Sequence, residues 1–444
     1  MLNVHPRLKW RKEGEGYLTN TSVYLNETAI ELLEILQKTH NPEDVIIALE
    51  RKYPHISSSL LRKDVNDTIE NLKKIGYLTS STEKFTRKDI QTPQIFEKIH
   101  VPVPYFNKNR RLNLSAPMRV AFEITYACNA RCKHCYAYSN TVDKNELSTE
   151  ECVDFIRQLG DLNVFEIFFT GGEPLLRKDL EKLIVTARDN NISPAIFSNG
   201  LLLTKNRIEM IASAGLWKAQ VSLHAPNAKS YEKFSGVRGI FERVMTAIPM
   251  LVDNGVRVSI AITLMTLNIN EISNMIDQTH DLGVNEYKIL PFFEVGKGGS
   301  NSYLTPKVEE YIDVIRTLIN KQKEHDLYIH YPELPARFYA IAVGEKRFVR
   351  GISPDGITQC TINPTGDVRA SIFFRDNLLA GNIRVQPFKE IWDEAKIFQR
   401  LRYPRWGMFE SPCKECSFLK TCRGGERGYA HREYSPDPRC IALS

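Results

Sequence analysis

From Met118 to Phe293 the chain repeats one alternation. Short apolar runs, "MRVAFEIT", "FEIFFT", "PAIFSN", "KAQVSLH", "RVSIAITLM" and "EYKILPFF", are separated by longer stretches whose apolar residues recur at helical spacing. Runs of that length between Gly, Pro and Asn read as buried strands, and the stretches between them as amphipathic helices. The first such helix opens on a capping box, Ser148 to Glu151. Six βα units in series predict an α/β fold, a parallel sheet with helical crossovers over residues 116–325. The glycine and polar motifs all fall just behind the strands, at the rim where such folds place their sites.

The flanks carry other patterns. Residues 1–79 predict a winged-helix-like unit, starting with a hairpin across "GYLTN" and "SVYLN". A helix follows with Asn26 as cap and Ala29, Leu32, Leu33 and Leu36 on one face. The next opens on "NPED", with Asn41 as cap, Pro42 in first position and Asp44 closing a capping-box-like pattern. A third carries Leu61, Val65, Ile69, Leu72 and Ile75 in one stripe and stops at Gly76. Residues 80–115 ("TRKDIQTPQ", "VPVPYFNKNRR") predict a linker. Residues 326–444 predict a small cysteine-rich domain: a hairpin in "CTINPTGDVRAS", then "GNIRVQPFKEIW", "CKECSFLKTC" and Cys440.

Composition narrows the class. A chain of 444 residues is too long for one core, and 42% hydrophobic with 25% charged residues is ordinary for a soluble protein. The net charge of +6, from 59 basic and 53 acidic residues, calls for neither nucleic acid nor a membrane surface and suits a mildly acidic partner. On the third helix Arg62, Lys63, Lys73 and Lys74 are balanced by Asp64, Asp67 and Glu70, a solvated face rather than a phosphate-binding stripe. No apolar run approaches the ~18 residues of a spanning helix, and the N-terminus lacks the apolar core of a secretory signal. A cytoplasmic setting is expected, where clustered cysteines bind metal more often than they form disulfides.

Three of the 9 cysteines, Cys128, Cys132 and Cys135, stand within eight residues directly after the first strand, spaced C-x3-C-x2-C. Three thiolates can hold three irons of a four-iron cluster and leave the fourth open, whereas structural zinc closes a shell of four ligands. His134, between two of the cysteines, would strain a closed tetrahedral site.

This run, after the first strand of a six-unit α/β chain, resembles the radical S-adenosylmethionine (SAM) superfamily over residues 118–295, which implies that the α/β region folds as a partial (β/α)6 barrel. The resemblance implies a [4Fe–4S] cluster on the three cysteines, with SAM chelated at the open iron and cleaved reductively to a 5′-deoxyadenosyl radical. Cluster potentials reach about −700 mV, so an external donor such as flavodoxin or ferredoxin is implied too. By the same resemblance "TGGEP" (Gly171, Gly172, Glu173, Pro174) holds the methionyl amino group, its glycines letting backbone approach the ligand. "SNG" (Ser198, Asn199, Gly200) and "SLHA" (Ser222, His224) address the ribose and carboxylate, with Arg238 of "GVRG" a further carboxylate candidate. Tyr136 belongs either to the adenine side or to the core.

The tail resembles the SPASM extension of peptide-modifying radical enzymes. Cys413, Cys416, Cys422 and Cys440 match C-x2-C-x5-C plus a distant cysteine and imply one auxiliary [4Fe–4S] cluster, with zinc on the same thiols as the chemical alternative. Where that pattern expects a second set, Ile352, Ser371 and Glu426 stand instead, with only Cys360 nearby. Cys360 reads either as a hydrogen donor to a substrate radical or as a buried structural thiol, and Cys152 as a packed small hydrophobe.

The N-terminal unit is similar to the peptide-chaperone domain of pyrroloquinoline quinone biosynthesis, in "YLNETAIELLEIL", "PEDVIIALERKY" and "DVNDTIENLKKIGYL". That likeness implies capture of a precursor-peptide leader by strand addition. The expected whole is a ribosomal peptide maturase that forms a thioether or carbon–carbon cross-link, or epimerises a residue. The alternative is radical chemistry on a small molecule such as a tetrapyrrole. A metal-bound transcription regulator fits neither the helix charges nor the cysteine motif.

Overall fold

The computed structural model describes residues 1–6, 8–13, 16–20, 24–80, 114–136, 143–284, 286–325, 327–331, 334–343, 354–374, 378–425 and 434–441. Ile352, Glu426 and most of the expected linker lie outside them. The chain divides into two units, residues 1–112 and 113–444.

In the first unit β1 (Leu2–Val4) pairs antiparallel with β5 (Leu78–Ser80), and β2 (Trp10–Glu13), β3 (Gly16–Thr19) and β4 (Tyr24–Leu25) form an antiparallel sheet in that order. The β3–β4 hairpin is the expected one; β1, β2 and β5 are additions, each too short to show an alternation in the sequence. Three helices, Glu27–Thr39, Pro42–Lys52 and Ser58–Lys74, lie between β4 and β5. Asn26 caps the first through Ala29 N–H at 2.9 Å. Asn41 caps the second through Glu43 N–H at 3.2 Å, while Asp44 N–H meets the Asn41 carbonyl, in place of the expected capping-box-like pattern. Leu33, Leu36, Val45, Leu49, Val65 and Leu72 are among the buried residues of a core that this unit closes by itself, together with Leu2 and Leu78.

The second unit is built on a sheet of ten strands among the described residues. Its strands are β6 (Arg119–Thr125), β7 (Glu166–Gly171), β8 (Ser193–Ser198), β9 (Lys218–Ser222), β10 (Arg257–Thr263), β11 (Glu286–Leu290), β12 (Tyr328–His330), β13 (Gln359–Ile362), β14 (Asp367–Arg369) and β15 (Gly381–Asn382). They run in the order β12-β11-β10-β9-β8-β7-β6-β13-β14-β15. All pairs from β12 to β13 are parallel, and β14 and β15 attach antiparallel. The six expected strands are all present, and β12, a parallel strand of three residues, extends the row. The Ser148–Glu151 capping box closes in both directions. The core is barrel-like but open, with β12 as one outer strand. Among the described residues no helix is long and apolar enough to cross a membrane.

Alternation along the strands sorts the two faces. Phe122 meets Phe155 of the helix Thr149–Asp161 edge to face at 5.2 Å, so Glu123, its neighbour, turns to the other face together with its in-register partner Thr170. At the strand starts a belt of ion pairs spans the sheet. Buried Glu286 meets Arg257 at 2.7 Å, Lys218 at 3.1 Å and His330 at 3.3 Å, and Arg119 meets Glu166 at 3.1 Å. Burial alone would raise the Glu286 carboxyl; Lys218 and Arg257 outweigh it and hold the group well below the usual carboxylate range. The belt ties the strands at the end opposite the cysteines, leaving the carboxyl ends for chemistry.

Candidate active site: the cysteine loop and its braces

The loop Tyr126–Tyr136 leaves β6 at the carboxyl end of the sheet. Burial pushes the Cys132 thiol up to about 12, with Cys135 and Cys128 adding to the rise, so the three sulfurs share one neighbourhood. Cys128 Sγ accepts from Ala130 N–H at 3.4 Å and from the Asn199 amide at 3.9 Å. Three thiols on one loop, with donors turned to a sulfur, fit a cation-bearing group that would stabilise thiolates. Among the described residues no three His, Cys, Asp or Glu side chains adopt single-ion geometry.

Two segments brace the loop from outside. Arg131 N–H donates to Ser235 O at 2.9 Å and Lys133 N–H to Phe234 O at 3.3 Å, at the end of the helix Ala228–Ser235. On the other side Lys297 N–H meets Cys135 O at 2.8 Å and the Asn301 amide meets Lys133 O at 3.2 Å. Gly296, at φ 58°, sits so close that a Cβ would lie 2.4 Å from Tyr136 O. Gly296, Lys297 and Asn301 were not among the sequence candidates. The signal was available: "GKGGS" follows the sixth strand as the other glycine motifs follow theirs.

The TGGEP loop lies against the same segment. Gly172 N–H donates to Thr125 O and Glu173 N–H to Ala127 O, both at 2.8 Å. A Cβ at Gly171 would stand 2.3 Å from Thr125 O, and one at Gly172 2.1 Å from Ala127 O. The glycines expected to admit a ligand thus admit the cysteine loop's own backbone. Glu173 is fully buried, and burial raises its carboxyl to about 7 against three donors: Asn199 N–H at 2.8 Å, Ser198 Oγ–H at 2.9 Å and Leu175 N–H at 3.1 Å. The Asn199 amide also reaches Asn129 Oδ1 at 2.8 Å. Glu173, Ser198 and Asn199 therefore form one network that joins β7, β8 and the cysteine loop. Pro174 starts the short turn that follows.

The remaining candidates separate. Ser222 is half-buried at the end of β9, its carbonyl taken by the Tyr231 hydroxyl at 2.7 Å. His224 is buried, and its Nδ1 accepts Thr263 N–H at 3.1 Å. Burial holds it neutral, well below its usual range. Its ring meets His134 at 4.4 Å, and His134 stacks on Phe234 at 4.6 Å, a packed trio under the loop. Arg238 stands exposed on the turn after Gly236, and no contact among the described residues brings it to the cysteines. Tyr136 is half-buried, turned toward Glu123 and Thr170, with its ring 5.8 Å from Phe373. Cys152 is buried on its helix as expected. Cys360 is aligned with Val120, on the Phe122 face that packs against helices, and lies near buried Arg402. It points away from the Glu123 face, which overturns the hydrogen-donor reading.

In the tail, burial pushes the Cys440 thiol up to about 12, with Cys422, Cys413 and Cys416 contributing, so the four expected ligands also share a neighbourhood. Cys416 N–H donates to Cys413 O at 3.0 Å and Gly425 N–H to Cys422 O at 3.1 Å, shaping the ligand loop. Ser371 is buried and its Oγ accepts Phe373 N–H at 3.1 Å. Phe373 packs on Phe293 at 3.9 Å, so aromatic rings occupy the ground around this cysteine-lacking position.

Residues 122–279 match the radical SAM superfamily, and residues 355–417 match SPASM, an iron–sulfur cluster-binding domain. Residues 122–279 thus carry a radical SAM core and residues 355–417 a SPASM region. An AdoMet-dependent heme synthase of Methanosarcina barkeri is 28% identical over 74% of this chain and 97% of its own. The mycofactocin maturase MftC of Mycobacterium tuberculosis is 28% identical over 77% of this chain and 87% of its own. In fold the chain is similar to Streptococcus suis SuiB bound to S-adenosylmethionine, with TM-score 0.69, 17% identity and 99% of each chain covered. SuiB bound to its precursor peptide SuiA gives TM-score 0.68 at 16% identity over 99% of this chain and 100% of that one.

Proposed function

We propose that this protein is a radical SAM maturase that cross-links a ribosomally made precursor peptide through a thioether or carbon–carbon bond, or epimerises one of its residues. The observation that carries the reading is the separate N-terminal unit, which closes its own core and presents sheet edges while holding none of the cysteines. A fold match covering 99% of the chain includes that unit, and one such match is SuiB bound to precursor peptide SuiA. The heme-synthase relatives favour a second reading, a tetrapyrrole substrate, and their match covers 74% of this chain against 77% for the maturase relative.

Cys128, Cys132 and Cys135 would hold the SAM-binding [4Fe–4S] cluster, and Cys413, Cys416, Cys422 and Cys440 an auxiliary one. When bound, cluster and SAM supply a 5′-deoxyadenosyl radical able to take hydrogen from an unactivated carbon. The chain's own part is placement. The Glu173 network fixes the TGGEP and SNG loops to the cysteine loop, and the Gly296–Asn301 segment fixes its far side. The packed rings of His134, His224 and Phe234 exclude water beneath it.

The leader would pair with an outer strand of the three-stranded sheet. Asn20 N–H donates to Lys9 O, so alternation directs the main-chain groups of Trp10 and Lys12 away from β3; by the same rule the main-chain groups of Tyr24 are directed away from β3. Tethering the leader there raises the effective concentration of a weakly bound core peptide. The test is co-expression with a short peptide encoded beside the gene, read by mass spectrometry, with the full chain and with a chain starting at Asn113. Truncation should abolish peptide binding and modification and leave uncoupled SAM cleavage largely intact. Lys12→Pro or Tyr24→Pro, whichever lies on the paired edge, should weaken leader binding more than alanine does, since proline removes a donor. Unchanged modification by the truncated chain would favour the tetrapyrrole reading.

A further inference from the structure

Seven of the residues from 396 to 423 are Lys or Arg and two are Glu, a surplus of five where the whole chain's is six. Arg402 and Arg423 are buried, while Lys396, Arg400, Arg405, Lys414 and Lys420 are exposed. Lys396, Arg405, Lys414 and Lys420 make no ion pair among the described residues. Set among them are Tyr403, Trp406 and Met408, exposed by 43%, 40% and 56%. Large aromatic and Met side chains left in water beside cations are the composition of a protein-binding face. The cations select an acidic partner.

The position of this face says which acidic partner. It lies on the segment that supplies Cys413, Cys416 and Cys422. Trp406 stacks on Phe409 at 6.2 Å, and Phe409 is buried four residues before Cys413. Inward from the cysteines a second run of contacts leads to the other cluster loop. Arg439, next to Cys440, lies 5.3 Å from the Phe293 ring; Phe293 packs on Phe373 at 3.9 Å; Phe373 meets Tyr136 at 5.8 Å, and Tyr136 follows Cys135. Packed rings thus join the two cysteine sites where the second auxiliary set is degenerate.

We infer that Arg405, Trp406, Met408, Lys414 and Lys420 form the docking face for an acidic protein carrying a low-potential one-electron cofactor. The tail cysteines would hold the iron–sulfur group that accepts one electron from the reduced carrier, which is oxidised by one; no bond and no proton would move with it. The inference rests on the radical reading of the cysteine loop and is independent of the peptide substrate.

The experiment uses anaerobically reconstituted enzyme and purified flavodoxin, an acidic flavin protein. Flavodoxin affinity is measured by calorimetric titration at about 50 and about 300 mM salt, a range over which exposed charges become strongly screened. It should fall at least about tenfold with salt and again in the Arg405→Glu/Lys414→Glu/Lys420→Glu variant. With reduced flavodoxin as donor, 5′-deoxyadenosine formation by the variant should fall about tenfold, while dithionite drives it at the wild-type rate. Should the triple variant lose iron, Lys420→Glu and Trp406→Ala carry the same test singly. Flavodoxin binding that ignores these changes overturns the inference. So does a loss confined to binding of a short RNA, of the precursor peptide or of a second copy of the chain. Wild-type enzyme that makes no 5′-deoxyadenosine even with dithionite would instead overturn the radical reading itself.

Discussion

Gly172→Ala adds one methyl group where the cysteine loop leaves no room for it. The new Cβ would lie 2.1 Å from Ala127 O, 2.7 Å from its carbonyl carbon and 2.8 Å from Tyr126 O. Carbon–oxygen contacts settle at about 3.3 Å, so the TGGEP loop and the cysteine loop must part by about 1 Å. Parting them stretches two 2.8 Å hydrogen bonds, from Gly172 N–H to Thr125 O and from Glu173 N–H to Ala127 O. Each is worth about 1 kcal/mol net, and overpacking adds about 1–3 kcal/mol, for a total of about 3–5 kcal/mol. Gly255→Ala is the control: φ is +76° but nothing lies within 4 Å, so only the left-handed backbone is penalised, by about 1–2 kcal/mol. Both variants are reconstituted anaerobically and assayed for iron per chain, thermal midpoint and dithionite-driven SAM cleavage. Gly172→Ala should lose several-fold in retained iron and in cleavage, and Gly255→Ala should keep wild-type iron and cleavage with only a small fall in midpoint. A Gly172→Ala protein with wild-type iron, midpoint and cleavage would refute the claim that this contact positions the cysteine loop.

Reconstituted enzyme should carry about eight irons per chain, as two four-iron clusters; about twelve would mean that the degenerate site is filled, and zinc at the tail would exclude the auxiliary cluster. Replacing Cys128, Cys132 and Cys135 together with alanine should abolish 5′-deoxyadenosine formation, and formation at the wild-type rate would contradict the assignment of these ligands. Glu286→Gln leaves Lys218 and Arg257 without their buried counter-charge and should cost about 3 kcal/mol near neutral pH. Because the folded carboxyl sits below its ordinary value, that contribution is present above the ordinary pKa and lost as pH falls through the folded one. Denaturant titrations should therefore show the gap to wild type closing only in acid, and a gap of equal size there would rule out the ionic explanation.

The six-strand rhythm and the capping residues were legible in the chain, because each is local: a strand's burial or a cap needs only a few consecutive residues. Side-chain roles in the rim motifs were not local. Glu173 meets Ser198 and Asn199 from a separate strand, and His224 meets Thr263 from another, so whether they face a ligand or one another depends on how the sheet brings the strands together. The same holds for Cys360, whose face is set by its register with Val120, and for the ion belt, whose members stand far apart in sequence. Sequence by itself determined the six longer strands and the capped helices, since backbone preference and apolar periodicity act over one or two turns. Tertiary structure alone decided which polar groups were already committed to hydrogen bonds, because a buried donor or acceptor must find its partner wherever the fold has put one.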